Sequence, residues 1–303
     1  MKRSNITIAV VANIIFGVMP IYWKFLGGVD NMYILGQRML WSIPFTIFFA
    51  AISDKLYLFR PAFRSRSTVL LSLCSGLVMA GNWFLYTWAV NAGHVADTSM
   101  AYYICPLMVF LFGITVFREK YDKMQLVALG FALVGVIIYA VAMGSVPWIA
   151  LGLAFTFALN GAIKKRSGLD SAITLTVEMT TLLPITLVYL GATSFGADGY
   201  LVSLKWWEIL LLIGTGFASS FPLWLHGKGI NDLPLTLVGV LQYIWPTVSL
   251  LISIFVFKEE VSGMKFVCFG FIWVGLAVFS ANSVIKSRNE KISEKCLPNG
   301  SEK

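Results

Sequence analysis

The chain has 303 residues, 58% hydrophobic and 13% charged, with a formal net charge of +8. This composition excludes an ordinary soluble globular domain, and the basic residues fall in short clusters between apolar stretches, which fits membrane topology rather than a nucleic-acid partner. Cys74, Cys105, Cys268 and Cys296 have neither metal-ligand nor CxxC spacing, so neither metal nor cofactor is expected.

A span needs roughly 20 residues of apolar helix. The apolar runs are continuous rather than alternating, which points to helices and against a β-barrel. The first span, 6–24, follows Met1-Lys2-Arg3 without a small-x-small cleavage site and reads as a retained helix. The second, 33–52, carries Arg38. The third, 69–91, places Ser75, Met79, Asn82 and Tyr86 on one face. His94 and Asp97 are expected in a solvated outer loop before the fourth span, 98–117, where Tyr102, Pro106, Val109 and Gly113 form a stripe. Met124 to Ile163 is long enough for two spans, 124–143 and 147–163. The seventh, 172–191, carries Glu178; the eighth, 208–227, presents Thr215, Ser219, Pro222 and His226. The ninth, 233–257, presents Gln242, Pro246, Ser249 and Ser253, and 264–285 is the tenth.

With both termini cytoplasmic, 18 of the 23 Lys and Arg fall inside and four outside, Arg38 lying within its span. That asymmetry sets the orientation and supports the span count. The polar tail, 286–303, reads as disordered and cytoplasmic.

The chain also matches itself at an offset of 140. Tyr103-Ile104-Cys105-Pro106 aligns with Tyr243-Ile244-Trp245-Pro246, and Val116-Phe117-Arg118-Glu119 with Val256-Phe257-Lys258-Glu259; from 103 to 140 there are 14 identities in 38 positions. Pro44 meets Pro184 and Met39 meets Met179. A duplicated unit of five spans inserts its second copy upside down. The expected architecture is therefore an all-α integral membrane protein of ten transmembrane helices in two inverted five-helix repeats, 1–143 and 144–285.

Inverted repeats commonly hold a substrate site near the midplane between the halves. The polar faces predict a cavity with Asn82, Tyr86, Tyr102, His226 and Gln242 as hydrogen-bonding groups and Trp83, Tyr103 and Tyr243 as aromatic walls. For the smaller Ser, Thr and Gly residues, close helix packing is the preferred explanation. Pro106 and Pro246 are expected to kink their helices. Arg38 and Glu178 occupy equivalent positions in the two halves. Either each snorkels to its own interface, or the two line the ends of a pathway, where Arg38 would attract an anionic group and Glu178 would titrate.

As a set, Gly81-Asn82-Trp83, Trp88-Ala89-Val90-Asn91, Gly144-Ser145-Val146-Pro147, Glu178 before Leu183-Pro184, Leu241-Gln242-Tyr243-Ile244 with Pro246, and Phe271-Ile272-Trp273 resemble the RarD-type branch of the EamA-like drug/metabolite transporter superfamily. The resemblance implies a ten-span permease of a bacterial inner membrane, in a branch sometimes tied to chloramphenicol sensitivity. Phe16-Gly17 departs from relatives that often carry Trp before the glycine, which puts any role of an indole donor there in doubt.

The expected function is a secondary transporter moving a small metabolite or drug by alternating access. Its partners would be that substrate and the lipid bilayer, with protons as candidate coupling ion and a homodimer left open. An intramembrane enzyme and a non-transporting receptor or structural protein are the alternatives. The sequence carries no HExxH, paired acidic motif or Ser/Lys constellation for the enzyme.

Overall fold

The computed structural model describes residues 3–118, 123–144, 146–167, 171–195, 199–230 and 241–259, and part of 263–281. The expected tail, 286–303, and the first residues of the expected ninth span lie outside them. Among the described residues the chain is helical: α1 (Arg3–Phe25), α2 (Asn31–Ile52), a 3-10 turn (Leu56–Leu58), α3 (Phe59–Arg64), α4 (Arg66–Asn91), α5 (Val95–Thr115), α6 (Lys123–Met143), α7 (Trp148–Ser167), α8 (Ser171–Ser194), α9 (Tyr200–Ser203), α10 (Trp206–Ile230) and α11 (Ile244–Phe255). An apolar helical stretch, Phe266–Gly275, follows.

Six of these, α1, α2, α4, α5, α8 and α10, are long and apolar enough among the described residues to cross a membrane. Large apolar side chains such as Val141, Val188 and Phe255 are more than 70% exposed, as lipid-facing residues of a multi-pass membrane protein are.

Local chemistry sets the helix ends. Asp30 caps α2 by accepting from Tyr33 N at 2.9 Å, and Ser65 caps α4 through Thr68 N. Lys205 N donates to Glu208 at 2.8 Å, half of a capping box opening α10. Gly93, with φ of 85°, ends α4 in the left-handed region where a side chain would be strained. The ends of α5 and α11 share one geometry: Arg118 and Lys258, 140 positions apart, have φ of 51° and 54°.

The start of α5 corrects one expectation. Asp97 is not in a solvated loop: it is buried in the first turn, bonded to the Tyr139 hydroxyl and lying 3.2 Å from Nδ1 of His94, which stays in the connecting turn with its side chain 44% exposed. The Glu259 carboxylate caps the same helix, accepting from Val95 N and Ala96 N at 2.8 Å each. Short turns and charge spacing carry no trace of a carboxylate arriving from 163 residues away.

Packing arranges eight helices as a closed ring. Going round it, α1 packs on α10, α10 on α2, α2 on α8, α8 on α4, α4 on α7, α7 on α5, α5 on α11, and α11 returns to α1. Every neighbour pair joins a helix before residue 144 to one after it. Close approach is written in glycine: a Cβ on Gly216 would stand 2.2 Å from the Trp41 backbone, and one on Gly76, 140 residues earlier, 3.0 Å from Leu182. Met39 and Met179 are both buried in the layer between α2, α4 and α8.

Candidate functional site

Arg38 sits seven residues into α2 and is 8% exposed, so it does not snorkel to an interface. Its guanidinium lies 3.8 Å from the centroid of Trp83 on α4 and 4.4 Å from that of Trp23 on α1. Nε donates to Ser219 Oγ on α10 at 2.7 Å. Four helices therefore converge on one cation. Tyr22, Tyr86 and Tyr102 are close enough to interact with it electrostatically.

Each aromatic face stabilises a desolvated guanidinium by about 2 kcal/mol. Withdrawing such an ion from water costs several kcal/mol even after relaxation. The clamp and one hydrogen bond roughly balance that cost, while Nη1 is sealed from water without a hydrogen-bond partner among the described residues.

An aromatic wall extends from this point. Tyr86 meets Tyr102 edge-on at 6.0 Å, Tyr102 lies 3.8 Å from Trp245, Trp245 stacks on Phe16 at 4.8 Å, and Phe16 meets His226 edge-on at 6.3 Å. Trp245 Nε1 and His226 Nδ1 are also buried without hydrogen-bond partners among the described residues. Phe16, which replaces the expected indole in the first span, is thus the bridge between Trp245 and His226.

Glu178 occupies a different node. Its carboxylate is fully buried and accepts from the Ser75 hydroxyl. Asn160 on α7 donates to Ser75 O at 3.0 Å and to Ser75 Oγ at 2.8 Å. Lys164 Nζ stands 3.2 Å from the other carboxylate oxygen, an ion-pair contact without hydrogen-bond alignment.

The remaining expected residues divide. Asn82 is buried, but its amide nitrogen is engaged by α7, donating to Leu153 O at 3.0 Å and Thr156 Oγ1 at 2.8 Å. Tyr103 bonds Thr247 at 2.8 Å and stacks on Tyr243 at 6.4 Å, a contact between α5 and the start of α11. Gln242 is exposed. Helix α5 runs through Pro106, whereas at the related position Leu241 and Gln242 are helical, a turn at Tyr243 interrupts the path and α11 resumes at Ile244, so the break lies within one turn before Pro246, which has no N–H to donate to the Gln242 carbonyl. A separate cleft of about 350 Å³ lies between α2, α8 and α10, lined by Tyr33, Trp41, Leu190 and Leu212 among others.

Trp23 and Asn160 were not singled out in the sequence. Trp23 looks like an ordinary interfacial aromatic beside Lys24. Asn160 carried a signal, an amide within an apolar run just before Lys164.

Residues 3–141 match the EamA-like transporter family. Over 292 residues the chain is 38% identical to the uncharacterized transporter YojE of Bacillus subtilis (strain 168), covering 95% of this chain and 97% of that one. It is 31% identical to Protein RarD of Escherichia coli (strain K12), covering 94% and 97%. A solved crystal structure shares the fold, with a TM-score of 0.61 and 16% identity over 92% of this chain and 97% of the other. On this near-complete similarity to RarD and to uncharacterized transporters, the chain belongs to the EamA-like transporter family.

Proposed function

We propose that the protein is a secondary transporter of a bacterial inner membrane, with both termini cytoplasmic, that carries a small metabolite or drug by alternating access. Its ten spans form two inverted repeats, 1–143 and 144–285, followed by a cytoplasmic tail, 286–303. The observation that carries this is the ring of helices alternating between the halves around Arg38 and its aromatic neighbours. The packing partners obey the exchange that inversion requires: α1 on α10 corresponds to α7 on α4, α1 on α11 to α7 on α5, and α2 on α10 to α8 on α4.

In this reading Trp83, Tyr86, Tyr102 and His226 face the pathway with Arg38. Gln242 enters it in another state of the cycle, Asn82 joins α4 to α7 along its wall, and Tyr103 with Tyr243 forms the seam between α5 and α11. Pro106 and Pro246 allow the two helices at that seam to bend. Glu178 is the candidate proton site, and coupling through it requires Lys164 to release the carboxylate.

The test is counterflow with purified protein in liposomes, against a panel of amino acids, nucleosides and amphipathic drugs. Saturable exchange of one class is expected; no flux for any compound by folded protein sinks the proposal. With a cargo in hand, Glu178→Gln should remove the dependence of flux on a pH gradient. Unchanged gradient dependence would take the proton role from Glu178.

A further inference from the structure

We propose that the cargo is an organic oxyanion, a carboxylate or phosphate attached to a flat apolar body, and that Arg38 is the group that binds it. This rests on the transport reading of the same region and adds the chemical class of substrate.

The first argument is the missing counter-charge. Arg38 is more than nine-tenths buried, and among the described residues no carboxylate lies within ion-pair distance of it. Arginine does not escape burial by losing its proton, as lysine can. Its Nε edge is taken by Ser219, and Nη1 is left without a hydrogen-bond partner among the described residues. Trp23 and Trp83 both hold the guanidinium at cation–π distance, 4.4 and 3.8 Å from their ring centroids, which fixes the position of its remaining donors. A planar, oriented guanidinium with spare N–H groups is the geometry that recognises carboxylates and phosphates.

The second argument comes from the related position. Glu178, 140 residues later, has a cation supplied by the protein, Lys164. The residue 140 before Lys164 is Lys24, a second cation that cannot neutralise Arg38, and its Nζ reaches the Val90 and Asn91 carbonyls at 3.4 and 3.2 Å. One of two equivalent charges is thus neutralised internally, and the other is left for something else to neutralise.

The third argument gives the body of the ligand. Tyr102, Trp245 and Phe16 continue from Arg38 as a wall of rings, and Trp245 Nε1 and His226 Nδ1 along it also lack hydrogen-bond partners among the described residues. Such a wall suits a flat apolar group with a few polar atoms. Because Nη1 is sealed from water here, the anion reaches it when the ring parts, as alternation requires.

Binding by the purified full-length protein in detergent separates this inference from transport. Thermal shift would be measured with millimolar benzoate, phenyl phosphate, benzamide and benzylammonium, four probes that share a ring and differ in charge. Benzoate, phenyl phosphate or both should raise Tm while benzamide and benzylammonium do not, and the two anions tell carboxylate from phosphate. Arg38→Gln should weaken anion binding at least about tenfold, the effect of losing one charged hydrogen bond. If that variant fails to fold, Arg38→Lys, which keeps the charge but loses the planar fork, should retain weakened anion binding. Shifts as large with benzamide or benzylammonium, no shift with either anion, or wild-type anion affinity in the Arg38 variant that folds would overturn the proposal. An Arg38-dependent anion shift in a protein that carries nothing in counterflow would sustain the site and count against transport instead.

Discussion

Substituting Lys164 by Ala leaves the Glu178 carboxylate buried with Ser75 as its remaining close donor among the described residues. Breaking a fully buried pair costs roughly 3–5 kcal/mol. The Lys164 side chain is 28% exposed, so screening lowers the expected loss to about 2 kcal/mol. Adding Glu178→Gln should restore most of it, because the uncompensated charge is then gone. Thermal unfolding in detergent of the two single variants and the double variant measures the coupling, and additive losses would deny the pair any energetic role. Arg38 and Glu178 were legible in the sequence as ionised groups inside apolar runs. Their surroundings were not: Trp23 and Ser219 come from helices whose neighbours no local pattern names, and Asn82, singled out for a cavity, spends its amide nitrogen on a helix contact.

Gly216 and Gly81 offer a matched comparison within transmembrane helices. A Cβ at Gly216 would collide with the Trp41 backbone, which cannot rotate away, whereas one at Gly81 meets nothing within 4 Å. Gly216→Ala should push α10 from α2 and cost about 1–3 kcal/mol, as overpacking does. Gly81→Ala should be neutral or slightly stabilising, alanine being the better helix former. Equal unfolding midpoints for the two variants would mean that the helices do not approach so closely. Helix positions themselves were well written in the sequence, because unbroken apolar runs flanked by charge have few other solutions in lipid. The expected spans from 6–24 to 208–227 each correspond to a helix within a few residues. What hydropathy could not give was a short polar-edged helix such as α3 or α9, or the cap on α5 supplied by Glu259, since both depend on tertiary partners.

In the ring, the described helices of each half pack mainly on helices of the other. Segment 1–143 contributes α1, α2, α4 and α5, each flanked by helices from the other half. Expressed alone, 1–143 or 144–303 should aggregate or be degraded, and co-expression should restore a monodisperse complex. Fluorescence-detected size exclusion reads this directly, and a stable, monodisperse single half would contradict the interleaving. The offset of 140 pointed to segments of like sequence but not to interleaving, because self-similarity says which segments are alike and nothing about which ones touch. Interleaving also sets a schedule for biosynthesis. Arg38 leaves the ribosome 181 residues ahead of Ser219, a delay of roughly 10–35 s at ordinary elongation rates. The ring closes only when α11 returns to α1. Through that interval a charged helix waits at the membrane without its partner, so the insertion machinery, rather than the finished fold, has to shelter it.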